Sequence, residues 1–150
     1  MAREKKPWLP PRWFIRGAWQ VHRALYRVLG GRTLRPPRAG RWGMFRLTTL
    51  GRRTGRERSV ILAYFRDGPD LVTLAMNGWG APEPAWWLNL RARPEATATL
   101  VDGRFRVRAR KADGEERERL WTRWRELDKN LDAYAARRPG QTAVVVLEPA

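Results

Sequence analysis

Residues 58–76 read RSVILAYFRDGPDLVTLAM. Two runs rich in β-branched and aromatic residues, 58–66 and 71–76, flank Asp67-Gly68-Pro69-Asp70. Gly and Pro inside a four-residue break between such runs predict a β-hairpin. Antiparallel pairing here argues against an alternating parallel fold, and the rest of the chain agrees. Residues 42–50 read as a strand before the hairpin. Residues 96–101 and 104–111 flank Asp102-Gly103, a type I′ hairpin signal. In the second arm Phe105, Val107 and Ala109 alternate with Arg104, Arg106, Arg108 and Arg110, so one face is expected in water. Residues 142–148, TAVVVLE, form a last buried strand.

Helices are few and peripheral. Pro84 opens a short helix through Ala92, with Pro in the first turn. Residues 113–128 are a charged helix with Leu120, Trp121, Trp124 and Leu127 on one side, and 130–137 form a second short helix or turn. The expectation is a mainly β (α+β) fold, an antiparallel barrel of about six strands with helices packed outside. Residues 1–11, with three prolines, read as a disordered lead. Residues 12–41 read as an amphipathic helix (12–29) followed by a linker, and 42–150 as the barrel domain.

The chain has 150 residues, enough for one domain. It has no cysteine and one histidine, His22, which excludes disulfides, thiolate metal sites and Cys nucleophiles; no metal site is expected. The longest apolar runs, such as Ala143 to Leu147, are too short to cross a bilayer. No signal-peptide apolar region forms, so a cytoplasmic location is expected.

The formal charge is +16, and it is unevenly placed. Residues 1–60 hold 16 Lys and Arg against two acids; residues 61–150 hold 15 against 13. A basic arm and a basic turn on an ordinary domain would give this asymmetry. In the arm, Phe14, Ala18, Val21, Leu25 and Leu29 share a helical face opposite Arg12, Arg16, Arg23 and Arg27. Such a helix packs on the domain, lines a substrate entrance, or lies on an anionic membrane surface. A nucleic-acid partner is not expected, because no RNP1 motif or zinc-finger spacing accompanies the charge.

Two segments carry chemistry. Gly51-Arg52-Arg53-Thr54-Gly55-Arg56-Glu57-Arg58 sets four arginines around a glycine-bounded turn. It is either an anion site or a hairpin turn with solvated arginines. Walker P-loop spacing is absent. The second segment, 75–90, runs from a strand end through a glycine loop into a helix start, an arrangement that offers backbone N–H groups to a ligand. There Trp86 is either core or the wall of an aromatic ligand's pocket.

Taken together, LTTLGRRTGRERSVILAYFRDG (47–68), LVTLAMNGWGAPEPAWWLNLRARPEA (71–96) and LDAYAARRPGQTAVVVLEP (131–149) resemble the deazaflavin-dependent nitroreductase family. The order and spacing of the motifs carry the resemblance, over roughly residues 12–149. It implies an FMN-binding-like split β-barrel, often a homodimer. It also implies an oxidoreductase that passes a hydride from reduced coenzyme F420 (8-hydroxy-5-deazaflavin) to a quinone, enone or nitro compound, with FMN the alternative cofactor. By resemblance, Arg52, Arg53, Thr54, Gly55 and Arg58 hold the coenzyme's phosphate and polyglutamate tail. Val60, Ile61, Ala75, Met76, Asn77 and Gly78 line the ring pocket. Pro84, Ala85, Trp86 and Asn89 close it. Tyr134 is implied as a hydrogen-bond or proton donor to the acceptor, with a capping aromatic as its other reading. Three positions depart from the family pattern: Met76 replaces the common Ser, Ile61 the usual Pro, and Trp79 a polar loop residue. They point to an altered acceptor, or to a non-catalytic deazaflavin-, flavin- or lipid-binding protein.

Overall fold

The computed structural model describes residues 34–76, 83–138 and 140–150. Six strands are present among them: β1 (Gly43–Leu50), β2 (Glu57–Asp67), β3 (Asp70–Leu74), β4 (Glu95–Leu100), β5 (Gly103–Lys111) and β6 (Val144–Pro149). Three helices accompany them: α1 (Ala85–Ala92), α2 (Gly114–Leu127) and α3 (Leu131–Ala135). The strands close into a barrel in the order β1-β2-β3-β6-β5-β4, with every neighbouring pair antiparallel. The expected six-stranded barrel with outer helices is what forms. The helix expected over residues 12–29 lies outside the described residues.

Period-two alternation decides what each strand buries. Phe45, Leu47, Val60, Leu62, Leu71, Ala98, Val107, Val145 and Leu147 share the interior cluster. Phe65, Val72, Val144 and Val146 point outward and are covered by Leu120 and Trp124 of α2 and Leu131 of α3. This explains the unbroken apolar run in β6: it is buried on both faces. Gly43 is required by crowding, since a Cβ there would sit 2.6 Å from Pro37 N and 2.7 Å from a Tyr64 ring carbon.

The β2–β3 and β4–β5 hairpins have two-residue loops. Gly68, at φ +59°, precedes Pro69 between the paired Asp67 and Asp70, which suits the first position of a type II′ turn. In the β4–β5 hairpin Leu100 pairs with Gly103, so the loop is Val101-Asp102, one residue earlier than Asp102-Gly103 suggests. Moving the loop by one residue would shift the β4–β5 pairing by two positions and leave Ala96, Ala98 and Leu100 facing inward, so the facing pattern does not distinguish the two loops. Two further differences follow. Strand β3 stops at Leu74, not Met76. Phe105 is 45% exposed, although it alternates with the arginines as expected.

Candidate functional site

The basic turn links β1 to β2 and is closed by its own backbone. Gly51 N–H donates to Arg56 O at 2.8 Å, and Gly55 N–H donates to Gly51 O at 2.8 Å. Gly55 sits at φ +70°, where only glycine is unstrained. The Thr54 hydroxyl accepts from Arg56 N–H at 3.2 Å. Arg52, Arg53, Thr54, Gly55 and Arg58 are all exposed. Among the described residues, none of the four arginines of the turn forms an ion pair with a carboxylate. By contrast, Arg108, Arg110, Arg119, Arg123 and Arg125 each have a carboxylate partner.

Asn89, 4% exposed, fastens this turn to α1. Its Oδ1 accepts from Arg52 N–H and from Arg52 Nη1, both at 3.1 Å. Its Nδ2 donates to the buried Thr49 hydroxyl at 3.2 Å. The structure thus brings Asn89 to the basic turn.

An apolar cavity of about 290 Å³ lies on the outer face of β1, β2 and β3, beneath α2 and α3. Ile61 and Met76 both line it, with Trp42, Met44, Trp124 and Leu131. Val60 and Ile61 are expected on one pocket, but neighbouring strand residues face opposite ways. Val60 joins the barrel interior, and so does Ala75. Ala75 N–H donates to Ala143 O at 2.9 Å, which holds the end of β3 against the lead into β6. Asn77 and Gly78, and the loop residue Trp79, lie outside the described residues. The sequence reading missed Trp42, Met44 and Leu131, because nothing local signals that helices will roof this part of the sheet.

At the start of α1, Pro84 is buried and its carbonyl accepts from Trp87 and Leu88 N–H. Ala85 is exposed. Trp86 is buried against Trp87, ring centroids 6.4 Å apart, and among the described residues its Nε1 has no hydrogen-bond acceptor. Such an indole N–H can donate to a ligand or water oxygen. Tyr134, half-buried on α3, is three residues from Leu131 and so near its face of the helix. Asp132 pins α3 to α2, accepting from Trp121 Nε1 at 2.9 Å and Arg125 Nε at 2.6 Å. These bonds, the indole's first, hold its carboxyl below the usual aspartate value.

The residues fit a ligand with a flat apolar ring and an anionic tail. Among the described residues, none of the four guanidinium groups at the Glu57 end of β2 pairs with a carboxylate, and that of Arg52 bonds Asn89. Ile61, about 10 Å along the same strand from Arg58 and on its other face, walls an apolar space. Among the described residues no group of His, Cys, Asp or Glu could hold a metal ion. No helix among them is long and apolar enough to cross a membrane.

The comparisons with known proteins agree with this chemistry. The sequence pattern of the "F420H(2)-dependent quinone reductase" family matches residues 19–149. An F420H(2)-dependent quinone reductase of Mycobacterium tuberculosis (strain ATCC 25618 / H37Rv) is 32% identical over 132 residues, covering 85% of this chain and 87% of its own. Among solved structures, an F420-H2 dependent reductase (FDR-A) superposes with a TM-score of 0.64 at 25% identity, covering 70% of this chain and 93% of that one. Another, described as a domain-swapped dimer, gives a TM-score of 0.66 at 24% identity, covering 88% and 99%, and supports the fold. Motif order, barrel and match along nearly the whole chain lead to one conclusion: the protein belongs to the F420H(2)-dependent quinone reductase family, and is an F420H2-dependent oxidoreductase.

Proposed function

We propose that this chain reduces a quinone-type acceptor held in the apolar cavity, with Arg53 and Arg58 anchoring the tail of coenzyme F420. The observation that carries the reading is the arginine turn, without carboxylate partners among the described residues, leading into the strand whose Ile61 walls that cavity. The bound reduced coenzyme supplies a hydride; the acceptor takes it with one proton and leaves as the hydroquinone. The protein's part is placement. The closed Gly51–Gly55 turn presents guanidinium groups to phosphate and carboxylate oxygens. Ile61, Met76, Leu131 and Trp42 exclude water around the ring and the acceptor. Trp86 Nε1 offers one donor near the helix start. The role assigned to Tyr134, three residues after Leu131 on α3, is to donate a proton or hydrogen bond from its phenol to the acceptor oxygen.

The test is a titration of the purified protein at physiological salt with F420, FMN and duplex DNA, followed by turnover with a short-chain quinone. Micromolar or tighter binding of F420 alone, with quinone-dependent oxidation of F420H2, is expected. Binding of FMN or DNA in preference to F420 would refute it. Tyr134→Phe is expected to lower kcat for quinone by about 100-fold while leaving F420 affinity unchanged. An unchanged kcat would reduce Tyr134 to a packing residue.

A further inference from the structure

We propose that Arg138 is a positioning residue for the coenzyme site, holding the end of β3 where it meets the ring pocket. The inference rests on the coenzyme reading above. Arg138 follows α3 and reaches back across the fold. Its Nη1 donates to Ala75 O at 2.9 Å and to the Thr142 hydroxyl at 2.8 Å. Thr142 is buried, and its carbonyl accepts from Arg117 Nη1 at 2.6 Å. Ala75 therefore has its N–H bound by Ala143 and its C=O bound by Arg138. Both polar groups of the residue that follows β3 are held by one segment of chain. The next residue, Met76, lines the cavity.

A guanidinium suits this task because it presents several donors in one rigid plane and stays charged. A shift of about 1 Å at a ligand-facing residue is enough to alter binding and rate strongly. Arg138 acts through Ala75 and Met76; no contact between it and the coenzyme is invoked.

The experiment compares wild type, Arg138→Ala, Arg138→Lys and the surface control Arg108→Ala. F420 affinity is measured by fluorescence titration, and amide hydrogen exchange is followed across the barrel without ligand. Arg138→Ala is expected to weaken F420 binding at least tenfold and to accelerate exchange at Ala75 and Met76, with β1 and β2 unchanged. Arg138→Lys should recover part of the affinity, and millimolar guanidinium should restore binding to Arg138→Ala but add nothing to wild type. Wild-type affinity in Arg138→Ala would overturn the proposal. So would loss of binding accompanied by faster exchange throughout the barrel. If wild type fails to bind F420, the coenzyme reading falls. The exchange pattern then decides alone: acceleration confined to Ala75 and Met76 supports the anchor, and any other pattern overturns it.

Discussion

Asn89 is the residue at which sequence and structure give different geometry to one function. Its place after Trp86 on α1 suggests a ring-pocket wall or a bond to nearby backbone. Its amide bonds Arg52, backbone included, and Thr49, using the acceptor oxygen twice and one of its two donors. No pattern in one sequence reports a bond across 37 positions, so this role was not legible. Removing the amide leaves the buried Thr49 hydroxyl and Arg52 N–H without partners, a cost of about 1–3 kcal/mol. The expected consequence is selective. Asn89→Ala should weaken binding of intact F420 about tenfold, because the arginine turn loses its fixed orientation. Binding of the deazaflavin fragment without phosphate or glutamates should be unchanged. Fluorescence titrations with both ligands decide it, and equal weakening would return Asn89 to the ring.

At the scale of elements, most of the fold was legible because each strand carries its own signal. Residues 58–76 show a hairpin in turn chemistry and β-branched content, and 142–148 show burial on both faces. The loop at Val101-Asp102 was misplaced by one residue because either loop leaves Ala96 and Leu100 facing inward, and the alternation that makes the strands legible does not choose between them. The cavity was legible only as two of its walls, Ile61 and Met76; the roof depends on how α2 and α3 dock. That docking should depend on pH. Asp132, through Trp121 and then Arg125, has a carboxyl held below its ordinary value of 3.8. A depressed carboxylate contributes stability that is complete above the ordinary value and lost as pH falls through the lower folded-state value. Asp67, lowered chiefly by the hydrogen bond from Arg119, acts in the same direction through Arg119 and Arg123 of α2. Both contacts are solvent-accessible, so each is worth at most about 1 kcal/mol. The thermal midpoint should therefore fall as pH drops below about 4. Asp132→Asn should lower the midpoint at neutral pH and flatten part of that acid dependence. A variant with the full wild-type acid dependence would show that this contact does not hold α3.

For the whole molecule, the charge of +16 overstates the field that any one ligand meets. Much of the arginine on α2 and β5 is spent internally: Arg110 bridges Glu116 and Glu148, and Arg119 and Arg123 share Asp67. Among the described residues the arginines at the Gly51–Gly55 turn have no such partners, so their charge is available to an anion. They are exposed, and attraction to a solvated tail is screened beyond about 8 Å at physiological salt. Affinity for F420 should therefore fall as salt rises, and more steeply for coenzyme with a longer glutamate tail. Arg53→Ala combined with Arg58→Ala should weaken binding by about 2–4 kcal/mol and make the salt dependence shallower. Neutralising Arg104 and Arg106, equally exposed on β5, should change neither quantity. Titrations of the three proteins over a series of salt concentrations separate the alternatives. If the β5 variant loses as much affinity as the turn variant, the coenzyme responds to net charge, and the turn is not its binding site.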